Sequence, residues 1–253
     1  MIRREDQDDV TVLTLHHGKA NALDLELCLA LDEALGAVEH SPSRAVVLTG
    51  EGPIFSAGVD LPRLLREDSA YTERFVPALA AVIRRLFVLP KPVVAAVGGH
   101  AIAGGCLLVQ AADRRLLADG KARLGVPELK VGVPFPTVGL EVLRFQVGDR
   151  VAQDLACSGR TVLPADALAL GLVDQVVEPA ELLQVARAEA AGLAAIPAPT
   201  FGLTKRQLRR PVLEVIDRDA AAFDAEVVAL WADGDVRAAV ERFVERTLGR
   251  RGD

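Results

Sequence analysis

A chain of 253 residues, 51% hydrophobic but only 4% aromatic, is long enough for one large domain, or a domain with an appendage, built on an Ala/Leu/Val core. A formal net charge of −6 argues against a general nucleic-acid surface, and no uncharged apolar run reaches membrane-spanning length. The three cysteines, Cys28, Cys106 and Cys157, are widely spaced with no CxxC, which points to reduced, buried thiols in a cytoplasmic protein rather than a disulfide frame or a zinc site.

Residues 1–9 mix two arginines with acids and have no apolar stretch behind them, unlike a secretory or organelle signal. Residues 10–15 alternate and are rich in β-formers, whereas 25–38 repeat apolar residues at helical spacing, so strand, Gly/Asn loop and helix are predicted in that order. Residues 46–49 and 93–97 are short β-branched runs, each followed by glycines and then a helical pattern. Residues 114–118 and 173–177 read as further strands. This strand, glycine turn and helix sequence recurs every roughly forty to fifty residues, a period that suits stacked supersecondary units. An alanine-rich helix over 181–195 ends at Pro197-Ala198-Pro199, the best boundary in the chain. Beyond it, 203–210 and 220–247 are predicted as helices with charged faces, and 249–253 as a frayed end.

Two of the glycine turns carry chemistry. Phe55-Ser56-Ala57-Gly58-Val59-Asp60 and His100-Ala101-Ile102-Ala103-Gly104-Gly105-Cys106 each put small residues just after an apolar run, where bare backbone N–H groups can face a cavity. Two such donors converging on one carbonyl oxygen make an oxyanion hole, which stabilises charge as it develops in the transition state. Neither turn is a GxSxG elbow or a GxGxxG phosphate loop, so a serine nucleophile and a nicotinamide site are disfavoured. The histidines show no metal-ligand spacing, and His100 reads as a structural hydrogen-bonder.

These segments resemble the signatures of the crotonase family, the enoyl-CoA hydratases and isomerases. Pro127-Glu128 and Gly171-Leu172-Val173-Asp174 follow them in the family's order, and the resemblance runs from about residue 10 to 177. It implies an α/β spiral core of strand-turn-helix units over 1–198, a helical region over 199–253 that builds a homotrimer or a dimer of trimers, an acyl-CoA thioester as substrate, and no cofactor beyond its CoA moiety. It places the oxyanion donors on the backbone N–H groups of Val59 and Gly104 and the acid–base group on Glu128. Around them it puts Ala57, Gly105, Leu107 and Phe135 against the acyl portion, with Gly104 and Gly105 keeping Cβ atoms out of the ligand's way. Ala20 and Ala22 would meet the adenine, and Lys19 and Arg63 the phosphates. Asp60 caps or anchors the helix that starts near Leu61.

Leu107 departs from the hydratase pattern, which has a second glutamate directly after Gly-Gly-Cys; leucine can neither hold nor deprotonate water. Ala103-Gly104-Gly105-Cys106-Leu107 is closer to the monofunctional Δ3,Δ2-enoyl-CoA isomerases, in which one glutamate moves a proton from C2 to C4. The aspartate of the dienoyl-CoA isomerases is missing from Val133-Pro134-Phe135-Pro136-Thr137. An enoyl-CoA hydratase or another acyl-CoA lyase is the alternative within enzymes, and a non-catalytic acyl-CoA-binding protein is the alternative of another class.

Overall fold

A computed structural model describes residues 1–248; residues 249–253, expected to fray, lie outside the described residues. The chain opens with strands β1 (Ile2–Gln7) and β2 (Val10–Leu15) and helix α1 (Leu25–Glu39). Three coils follow, each a strand, a shorter strand and a helical stretch. The first is β3 (Ala45–Gly50), β4 (Ile54–Ser56), α2 (Leu61–Arg66) and α3 (Ser69–Val88). The second is β5 (Val93–Val97), β6 (His100–Ile102) and α4 (Gly104–Gln110), and the third is β7 (Arg114–Ala118), β8 (Leu124–Gly125), α5 (Glu128–Val131) and α6 (Thr137–Ser158). A return through β9 (Thr161–Val162), α7 (Pro164–Ala169) and β10 (Gln175–Val177) leads to α8 (Leu182–Ala194), α9 (Ala198–Ala232) and α10 (Gly234–Leu248).

The first strand of each coil enters one sheet, ordered β1-β2-β3-β5-β7-β10, in which only β1 and β2 pair antiparallel. The second strand enters another, ordered β4-β6-β8-β9 and parallel except between β8 and β9. This is the expected α/β spiral of strand-turn-helix units. Strands β3 and β5 are buried on both faces, which is why their sequences are continuous apolar runs without alternation. One face of the large sheet is covered by α8, whose Ala186, Ala190 and Ala194 recur at helical spacing and let the helix lie close to Val47, Val94 and Ala96. The other face packs on α1, α3 and α4 around Leu31, Phe75 and Leu108.

Four details differ from the sequence prediction. Strand β1 sits in the charged opening segment, where no element is predicted, because an edge strand can carry arginines and acids on exposed positions. Strand β10 is shorter than 173–177, since the N–H groups of Leu172 and Val173 turn back to the Ala167 carbonyl. Cys157 is exposed rather than buried, unlike Cys28 and Cys106. The tail is not divided near 211–219: α9 runs unbroken through Pro211. An interior proline costs a helix about 3 kcal/mol, but both halves are anchored, the first by buried Lys205 and Arg209 and the second by buried Val227 and Trp231. The break falls instead at Asp233, whose side chain accepts from the N–H groups of Asp235 and Val236 and so caps α10.

Candidate active site

Each coil delivers one of the predicted residues just beyond its short strand: Val59 after β4, Gly104 after β6 and Glu128 after β8. Because β4, β6 and β8 are parallel neighbours, all three residues emerge at the same edge of the small sheet. They line a single apolar cavity of about 90 Å³ together with Ala57 and Leu107. Leu61, Leu79, Ile102, Ala103, Pro127, Val131, Val133, Pro136, Trp231 and Phe243 complete the wall.

The geometry explains why two backbone donors are free there. Leu23 pairs across the bridge with Val59 by donating to the Gly58 carbonyl and accepting from the Asp60 N–H, at 2.7 and 3.0 Å. The Val59 N–H therefore points away from Leu23 and enters no hydrogen bond among the described residues. Helix α4 begins at Gly104 without a side-chain cap, and its first internal bond runs from the Leu107 N–H to the Ala103 carbonyl. That leaves the Gly104 N–H outside the helical ladder. The turn before it is strained: Ala103 has φ 52° and ψ −128°, a conformation that costs a residue with a Cβ about 1–3 kcal/mol. Gly58, at φ +81°, lies so close to Ile102 and Ala103 that an added Cβ would approach the Ile102 carbonyl oxygen to 2.7 Å. The two turns are thus wedged against each other.

The glycines of α4 serve packing more than ligand clearance. A Cβ on Gly104 would come within 2.8 Å of Leu23 Cδ1, and one on Gly105 within 2.6 Å of the Ser56 carbonyl oxygen. Gly105 does not line the cavity; it lets α4 press onto β4. Ser56 is itself buried and bonded, its Oγ donating to the Asn21 carbonyl at 2.7 Å and accepting from the Gly58 N–H at 3.2 Å. It is a strut, and no nucleophile.

Glu128 starts α5, 6% exposed, and its Oε2 has no hydrogen-bond partner. Burial without a compensating cation raises its pKa from 4.5 to about 8. Among the described residues it is the only ionisable side chain on the cavity wall. Cys106, behind it, is pushed up to about 12 by burial and by the glutamate's charge, so its thiol is inert. Leu107 faces the cavity, 1% exposed, and offers it no polar group.

Other predicted residues lie elsewhere. Phe135 belongs to the hydrophobic core and not to the cavity wall, which its neighbours Val133 and Pro136 form. Arg63 is not free for a phosphate: it donates to Asp24 at 3.1 Å and Glu26 at 2.7 Å, lies 3.5 Å from Glu67, and stacks over Tyr71. Three carboxylates already satisfy it. Lys19 is exposed, while Ala20 and Ala22 are half-buried in the segment beside the first turn, where the Ala57 N–H donates to the Ala20 carbonyl at 3.0 Å. Asp60 caps α2 by accepting from the Arg63 N–H at 2.9 Å. His100 accepts from the Arg123 N–H at 3.1 Å, as expected of a structural histidine. The sequence prediction misses Trp231 and Phe243, although a lone tryptophan in a strongly charged tail is a signal that the tail has a buried face.

A spiral that brings free backbone donors and one buried carboxyl to an apolar cavity is the frame of the crotonases, enzymes that act on acyl-CoA. The chain belongs to the enoyl-CoA hydratase/isomerase family, whose model matches residues 5–249. It is 40% identical to a putative enoyl-CoA hydratase of Thermus thermophilus over 75% of this chain and 76% of that one. It is 33% identical to the short-chain-enoyl-CoA hydratase of Clostridium acetobutylicum, over 96% and 94%. The solved human mitochondrial Δ3,Δ2-enoyl-CoA isomerase superposes with a TM-score of 0.94 at 28% identity, covering 99% of both chains. Among the described residues, no helix is long and apolar enough to cross a membrane.

Proposed function

We propose that the protein is a Δ3,Δ2-enoyl-CoA isomerase. The observation that carries this reading is the solitary Glu128 on a wall that is otherwise apolar, with Leu107 in place of a second carboxylate. The thioester carbonyl accepts from the Val59 and Gly104 N–H groups, each such donor contributing about 3 kcal/mol to the transition state. Ionised Glu128 takes the proton from C2, and the C–H electrons move into the C1–C2 bond as charge gathers on the carbonyl oxygen. Glu128, now the acid, returns the proton at C4 while the double bond moves to C2–C3. A pKa near 8 suits a group that must both take and give a proton close to neutrality. Further support comes from the superposition on the human isomerase over 99% of both chains.

Hydratase chemistry is the second reading, favoured by the names of the two sequence relatives. Conjugated-thioester absorbance separates the two: it rises when 3-hexenoyl-CoA is isomerised and falls when crotonyl-CoA is hydrated. Isomerisation is expected to be the faster. Efficient hydration without detectable isomerisation refutes the proposal, and binding of both thioesters without turnover of either leaves a non-catalytic acyl-CoA-binding protein.

A further inference from the structure

The cavity that holds Glu128 is small, and its far walls are built in two different ways. Its 90 Å³ compares with about 150 Å³ for an engineered void that accepts benzene, which by proportion is room for about four carbon atoms. The thioester carbonyl and carbons C2 to C4, which must stand between the two backbone donors and Glu128, use nearly all of it. Trp231 is a fixed wall. It is 2% exposed, its Nε1 donates to the Pro134 carbonyl at 2.9 Å, and its ring meets Phe75 edge-on at 6.3 Å, with Phe75 stacked in turn on Tyr71.

Phe243 is a yielding wall. It is half-buried on α10, a helix in which Val240 is the one fully buried residue among those described. At helical spacing Phe243 neighbours Ala239 and Arg246, which with Arg242 line an open groove of mixed polar and apolar character bordered by Val131, and Val131 also lines the cavity. Cavity and groove are therefore neighbours: they share Val131, and Phe243 stands on the cavity side.

We infer that the site takes a short acyl chain, the about four carbons that the cavity holds and at most about two more where half-buried Phe243 gives way, and that Trp231 and Phe243 set that limit. This rests on the acyl-CoA reading of the cavity but not on which reaction follows. The test is calorimetric binding of saturated acyl-CoA thioesters from butanoyl to dodecanoyl, on the wild type and on Phe243→Ala. A closed cavity gives wild-type affinity that peaks at butanoyl or hexanoyl and is at least about tenfold weaker for dodecanoyl, because a longer chain drives the carbonyl away from its donors. In Phe243→Ala the chain can pass toward the groove, and the dodecanoyl penalty shrinks by at least about tenfold. An open tunnel instead gives a climb of about fourfold per added methylene, the equivalent of about 0.8 kcal/mol. That climb in the wild type overturns the length limit, and an unchanged profile in Phe243→Ala overturns the role of Phe243. Saturated thioesters need no turnover, so a protein with the expected profile that fails to isomerise 3-hexenoyl-CoA refutes the reaction and leaves the limit standing. Failure to bind any of them removes both.

Discussion

A carboxyl group buried without a partner sets stability against basicity, and Glu128 shows the sign of each. Its folded pKa of about 8 lies above the ordinary 4.5, so the folded chain keeps a proton that the unfolded chain releases between those values. Stability linked to this group is fully present below pH 4.5, is lost as pH rises through the window, and changes no further above about 8. Glu128→Gln removes that loss: thermal melts should show the variant gaining on the wild type from pH 5 to pH 8, by a few kcal/mol at the upper end. Isomerase turnover of the same variant should fall by about 10²–10⁴-fold, while wild-type kcat/KM should rise with pH up to about 8, as the base ionises. A variant that melts in parallel with the wild type at every pH would mean that Glu128 is ionised in the folded state. The position of Glu128 was legible because a Pro-Glu pair at a helix start is local. The fate of Arg63 was not, because two of its three carboxylates, Asp24 and Glu26, come from the start of α1, 39 and 37 residues away.

Helix α9 is tied to the core by one carboxylate and two cations. Asp113 accepts from Lys205 Nζ at 2.6 Å and from Arg209 at 2.7 Å, and its Oδ2 also accepts from the Val93 N–H at 2.8 Å. Both cations are buried, and burial pulls the Lys205 ammonium down to about 8. Arg209 also lies over the Phe87 ring and donates to the Phe87 carbonyl. Breaking a buried pair by removing one partner typically costs 3–5 kcal/mol. Asp113→Asn should therefore lower Tm by several degrees and speed hydrogen exchange along α9. Since α9 supplies Trp231 to the cavity, acyl-CoA affinity should fall as well. A melt within a degree of the wild type would show that the cluster does not hold the helix. This is also where sequence periodicity failed: Pro211 marks an end by local rules, and only the bonds to Asp113 and Phe87 and the packing on α3 and α6 keep the two halves in line.

Across the whole molecule, the spiral itself was readable because the first two coils repeat a β-branched run, a glycine turn and a helix, while the third opens on a leucine-bearing strand. The donors were readable with it, since each follows its turn directly. What the far side of the cavity would be was not readable. Trp231 and Phe243 lie 57 and 69 residues beyond Asp174, the end of the last motif, and 103 and 115 beyond Glu128, and only the packing of α9 on α3 and α6 and of α10 on α2 and α5 brings them back. A glycine that looks like room for a ligand can equally be room for a neighbouring strand, as Gly105 against Ser56 shows.

Trp231 is the one tryptophan in the chain, and it stands on the wall where the acyl group would lie. The protein thus carries its own optical reporter. Excited selectively, the indole sits in an apolar niche with its N–H bonded to a carbonyl, so its emission should be blue-shifted in the empty protein and change in intensity as a thioester enters in front of it. Stopped-flow mixing with hexanoyl-CoA should resolve that change as a saturable signal, without any label. The signal should be identical in Glu128→Gln, which separates the entry of the ligand from the movement of its proton.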